Sequence, residues 1–293
     1  MRKVFEGLGD FQIMAPLHIG GLKLYPVLFK TNSYDNEIEF IDKSFEREEI
    51  EAFEASPEGV VTKVGVRNKS EKFVMILDGE GISGAKQNRI AQTTIVLRPF
   101  SETIIPVNCI ERGRWSYSAD RNFNKSDYSI SPKMRDRKAE ILKNRENHRL
   151  QSSIWNEIDE LSDKFKTRSA TDDLGEVLEY AGRNNNYQEI NDKLELSCNG
   201  YIVFGTERPF IEIFGSDRSR KHYMKKIIKS WVADVEPSQI KHVDPDYLLD
   251  KYLHAGWFQD NSIGAEKSFK TTDTSNGRSY FLNDELVHSY YFF

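Results

Sequence analysis

Twelve consecutive residues gather much of the chemistry available to this chain: Asp78-Gly79-Glu80-Gly81-Ile82-Ser83-Gly84-Ala85-Lys86-Gln87-Asn88-Arg89. Glycines let a backbone approach a ligand closely or take a positive φ. Gln and Asn present paired donors and acceptors, and Arg supplies a planar fork for phosphate or carboxylate. A second stretch, Cys109-Ile110-Glu111-Arg112-Gly113-Arg114-Trp115, adds a carboxylate, two guanidiniums and an indole. On one shared rim, Glu80, Gln87, Arg89, Glu111, Arg112, Arg114 and Trp115 would converge into a cradle for a nucleotide-like ligand. Arginine would take phosphate, Trp115 would stack on a ring, and Gln and Glu would meet base or ribose hydroxyls. Glu80 and Glu111 are then the candidate catalytic acid–base groups. The plainer reading makes the glycines simple turns and the Arg/Glu pairs structural ion pairs. The glycine spacing fits neither a phosphate loop nor a dinucleotide fingerprint, because no helix follows and no Gly-Lys-Ser/Thr occurs.

Strands must position these stretches. From residue 60 the pattern reads β at 60–66, 73–77, 93–97 and 103–110, with turns at 68–72 and 98–102. Short strands at regular spacing with no helix between them predict an antiparallel sandwich. The ends of its strands cluster on a rim, where loops carry function. After Trp115 the polar stretch 116–132 reads as an exposed loop. Ser131-Pro132 then starts a helix, with proline at its first position. A helical pattern over 133–165, with a break, carries an apolar stripe through Ile141, Leu142, Leu150, Ile154, Trp155, Ile158 and Leu161. Thr171-Asp172-Asp173-Leu174 caps a helix ending near Tyr180. A turn at Asn184-Asn185-Asn186 and a short helix from Tyr187 to Leu194 follow. Residues 201–214 form a hairpin, Ser216-Asp217 caps a helix to about Val235, and 245–258 is an aromatic helix. Strands end the chain. The expected fold class is α+β. An N-terminal β-sandwich-like lobe spans 1–115. An α+β lobe with a long helix, a hairpin and C-terminal strands spans 116–293, and the two can share one core.

The 293 residues carry 41 basic and 46 acidic side chains, a net charge of -5, which argues against a generally cationic nucleic-acid binder. That balance is uneven. Residues 34–58 hold ten acids against two bases and read as a solvated face. Residues 112–149 hold eleven Lys/Arg, Arg121 among them, against five acids. The basic segment could receive phosphates, pair with the acidic one in a homo-oligomer, or simply solvate a helix, the favoured reading. No stacking aromatics interleave with it, which weakens a nucleic-acid role. Two cysteines, Cys109 and Cys198, are too few for a disulfide-stapled secreted domain and read as reduced and buried. No apolar run approaches the ~20 residues needed to span a bilayer, and none follows the basic start. A cytoplasmic protein without membrane attachment is expected. The six histidines are scattered and form no metal-ligand pattern with the cysteines, so no metal or cofactor is expected.

Residues 66–70, 76–80, 84–89 and 105–115, with Gln151-Ser152-Ser153-Ile154-Trp155-Asn156-Glu157-Ile158 and the hairpin over 200–214, resemble the ARPP family. These are domains associated with ADP-ribosylglycohydrolases and the rhodanese–phosphatase superfamily. The resemblance spans about residues 10–292. Gly-Ala-Lys-Gln-Asn-Arg and Cys-x-Glu-x-Gly-Arg-Trp are its most specific pieces. It implies company with enzymes that process ADP-ribose and phosphate groups in NAD-linked or conflict-type pathways, and it names no reaction. Its motif falls on Glu80, Gly84, Gln87, Asn88, Arg89, Glu111, Arg114 and Trp115, adding Gly84 and Asn88 to the candidate ligand contacts. Two functions follow as expectations. One is a module binding or processing ADP-ribose or a related phosphate-bearing nucleotide. The other is a non-catalytic interaction protein for such enzymes, with the motif as an internal polar network.

Overall fold

A computed structural model describes residues 4–30, 36–117, 122–182, 190, 192–236 and 243–293. The turn at Asn184-Asn185-Asn186, half of the helix expected after it, and Arg121 lie outside these. The fold is α+β. Its labelled helices are α1 (Ile41–Glu46), α2 (Pro132–Lys143), α3 (Leu150–Phe165), α4 (Leu174–Gly182), α5 (Asp217–Ala233) and α6 (Pro245–Leu253).

Six antiparallel strands close into a barrel in the order Ser101–Cys109, Lys63–Asn68, Ile50–Glu54, Phe123–Ser129, Glu80–Gly84 and Arg89–Ala91, which pairs back on the first. Closure removes exposed edges that an open antiparallel sheet would present. Phe123–Ser129 corrects the expectation of a loop over 116–132. Its sequence, FNKSDYS, is too polar to stand out. Yet Phe123, Ser126 and Ser129 are buried, because the strand pairs with Ile50–Glu54 on one side and Glu80–Gly84 on the other.

A nine-stranded sheet draws from both ends of the chain. Leu22–Leu28 pairs with Gly200–Phe204, which forms the expected hairpin with Phe210–Phe214. Glu285–Phe292, Asn276–Leu282, Lys267–Thr271 and Trp257–Asp260 follow in order. One face packs on Tyr223, Ile227, Ile228 and Trp231 of α5, the other on Phe5 and on Leu248 and Tyr252 of α6. A three-stranded sheet of Ile95–Leu97, Phe73–Ile76 and Ile38–Phe40 lies between the barrel and the large sheet. Side chains alternate across a strand, so Met75 and Val96 join the large-sheet core while Val74, Ile76, Ile95 and Leu97 join the barrel's.

The capping residues act as their types require. Ser131 Oγ accepts from the Met134 N–H and Ser216 Oγ from the Ser219 N–H. The break in the 133–165 pattern falls between α2 and α3, where Arg145 takes a positive φ. The acidic segment is not wholly solvated. Glu39 and Asp42 are buried, because they face the cations of α5: Arg218 pairs with Glu39 and Lys226 with Asp42. The basic segment is largely spent within the molecule, on partners that include Glu46, Asp78, Glu157, Glu160 and Glu212.

Candidate functional site

The turn between the strands Glu80–Gly84 and Arg89–Ala91 is strained. Gly84 has φ +115° and a Cβ there would lie 2.7 Å from the Asn122 carbonyl oxygen, so only glycine fits. Ala85 follows at φ 43°, a region non-glycine residues rarely occupy. The loop after Cys109 clamps this turn. Arg114 Nη1 donates to the Ala85 and Ser116 carbonyls at 2.7 and 3.0 Å. Its Nε and Nη2 form a fork on Glu111 at 2.7 and 2.5 Å. Glu111 also accepts from the Asn88 N–H and the Thr171 hydroxyl, both at 3.0 Å. Burial works to raise the Glu111 carboxyl, but Arg114 and the Asn88 N–H outweigh it and hold it below the usual range.

Gln87 continues the network, donating to the Glu111 carbonyl at 2.9 Å and accepting from Arg89 at 2.8 Å. Arg89 is fully buried. Its guanidinium faces the Trp115 ring at 5.6 Å, and its Nε and Nη2 have no hydrogen-bond partner among the described residues. Trp115 is half exposed and also faces the Lys86 ammonium. The fold therefore brings Gly84, Gln87, Asn88, Arg89, Glu111, Arg114 and Trp115 together. Two candidates stand apart. Arg112 turns outward to Asp159 and Asp172 at 2.9 and 2.8 Å. Glu80 accepts from Lys226 at 2.6 Å, and the same ammonium lies 2.6 Å from Asp42. Their surroundings set the two carboxyls apart: burial and the Asp42 charge raise Glu80, while His222 and Lys226 overcome burial to lower Asp42.

Asn88 is where this network meets open space. It lines a cleft of about 510 Å³ together with Ser83, Asp127, Tyr128, Ser129, Asp173, Glu176, Lys226 and Lys229. Its side-chain amide donates to Asp173 Oδ2 at 2.8 Å, and its Oδ1 accepts from the Gly84 N–H at 2.9 Å. Asp173 caps α4 through Oδ1, which accepts from the Gly175 N–H at 2.9 Å. Burial pushes its carboxyl up to about 6, against that N–H and with the charge of Glu111 adding. Tyr128 is wedged between two glycines: a Cβ on Gly81 or Gly175 would come within 2.5 Å of its ring. Lys229 makes no ion pair among the described residues. In the sequence Asp173 stands out only as a helix cap. Tyr128 and Ser129 lay in the supposed loop, and Lys226 and Lys229 in an ordinary amphipathic helix. Only the D-x-x-E signature at Asp173 and Glu176 was readable.

The family model described as ARG and Rhodanese-Phosphatase-superfamily-associated Protein domain, ARPP-1, matches residues 10–292. No curated protein and no solved structure matches the chain.

Proposed function

Because the chain belongs to the ARPP-1 family, we propose that it binds ADP-ribose or a related phosphate-bearing nucleotide in the cleft beside Asn88. The observation that carries this is the cleft's division of labour. Its volume of about 510 Å³ is that of a small-molecule site. Asp173, Asn88, Ser83 and Ser129 offer acceptors and donors suited to ribose hydroxyls. Lys229, with its charge uncommitted among the described residues, suits a phosphate. The arginines of the motif serve this site from behind, since Arg114 is engaged by Glu111 and Arg89 is buried.

Calorimetry with ADP-ribose and NAD tests the proposal. We expect binding to the native protein and a loss of about tenfold in Lys229→Ala, the worth of one charge-assisted hydrogen bond, with an unchanged melting temperature. Absence of heat with both ligands would refute it. The burial of Gln87, Arg89 and Glu111 in one network favours a second reading, a non-catalytic partner of ADP-ribose- or phosphate-processing enzymes. That reading gains if neither ligand binds.

A further inference from the structure

Seven residues of the two motif stretches bond or stack with one another, yet one side-chain contact links them to the charged lining of the cleft: Asn88 Nδ2 to Asp173 Oδ2 at 2.8 Å. Behind Asn88 stands Glu111, which takes the Asn88 N–H and is pinned by the fork of Arg114. The backbone makes the link a second time, through an isolated antiparallel bridge between Glu111 and Asp173. Asp173 is itself only 8% exposed, and that exposure is to the cleft. A network whose one side-chain bond to the charged lining of the cleft falls on Asp173 is built to hold that carboxyl.

We propose that Asp173 is the group that exchanges a proton with the bound ligand, and that Asn88, Glu111 and Arg114 are its positioning residues. This inference rests on the cleft being a ligand site. In the exchange, the carboxylic acid gives its proton to a ligand oxygen or nitrogen and is left as the carboxylate; a proton from water restores it. The Asn88 amide stabilises the carboxylate, and the nearby Glu111 charge destabilises it, so the two residues act on Asp173 with opposite sign. Charged and titratable groups act on Asp173 or share its cleft from each element around it. Glu111 and Arg114 come from the loop after Cys109. Asp127 and Tyr128 come from the barrel strand, Glu176 from α4, and Lys226 and Lys229 from α5. Asp173 titrates at about 6 among them.

The test follows the Asp173 carboxyl by ¹³C NMR across pH 4–8 in the ligand-free protein, with its signal assigned by its absence in Asp173→Asn. Asn88→Ala should raise the midpoint by about one pH unit, and Glu111→Gln should lower it by about one. A network with no hold on the Asp173 carboxyl would shift the midpoint in neither variant. Asn88→Ser replaces Asn88→Ala if near-ultraviolet circular dichroism shows the latter unfolded. Shifts of the same sign, or none, overturn the inference. A titration of ADP-ribose against the native protein at pH 5 and 7 separates the two readings. Shifts as expected without ADP-ribose binding refute the nucleotide reading and leave the positioning network standing. Binding without the shifts refutes the network alone.

Discussion

Asp173 and Asp234 are two carboxyls that burial pushes up to about 6. One faces the cleft and the other accepts the Lys133 N–H at the start of α2. Both lie above the value an unfolded chain would give them, so their contribution to stability is present below about pH 4 and lost as pH rises through about 6. For Asp173 the loss is at most about 3 kcal/mol, from 1.36 kcal/mol per pH unit. Asp173→Asn should therefore gain on the native protein as pH rises from 4 to 7. Urea denaturation at four pH values measures it, and a difference that stays constant with pH would refute it. The arginines make the matching point about chemistry. Their type and spacing suggested a phosphate cradle, but a guanidinium within reach of a carboxylate pairs with it, as Arg114 and Arg112 do.

Helix α2 shows what one element adds. Arg135 and Lys138, three residues apart and so on one face of the helix, are both buried between the sheets. Arg135 pairs with Glu212 of the large sheet at 2.5 Å, and Lys138 with Asp78 beside the barrel at 2.5 Å. His288 bonds Glu212 at 2.9 Å and Thr94 at 2.9 Å, and the Asp78 N–H donates to Thr94 at 3.0 Å. This chain of bonds ties barrel, small sheet and large sheet through two cations that the sequence marked only as part of a basic segment. Removing one partner of a buried ion pair strands the other charge. Arg135→Met should cost about 3–5 kcal/mol on that ground, read by chemical denaturation. Combining it with Glu212→Gln should recover much of the loss, and a double variant no better than the single would count against the ion pair as the cause.

Across the whole molecule, neither end of the chain is self-sufficient. Leu22–Leu28 takes one of its sheet partners from Gly200–Phe204, and the barrel closes only when Phe123–Ser129 joins Ile50–Glu54 to Glu80–Gly84. We expect a fragment of residues 1–115 to lack cooperative unfolding, because it ends before that closing strand and loses a strand partner of the large sheet. A sharp thermal transition by circular dichroism would show instead that the first lobe folds alone.

Local signals were legible wherever the physics was local. Ser131-Pro132, Ser216 and Asp173 mark helix starts because a capping oxygen needs only the next few residues. Gly84 within Gly-Ala-Lys-Gln-Asn-Arg announced a special turn because φ is a property of one residue. The class α+β and the family were also readable without coordinates. The strand Phe123–Ser129 was not, because its burial comes from two neighbours far away in sequence rather than from its own composition. Nor was the cleft: Asn88, Tyr128, Asp173 and Lys229 come from four separate segments. Sequence determined which residues could do chemistry. Tertiary structure decided which of them face a cavity, because burial and charge pairing depend on distances that spacing along the chain does not contain.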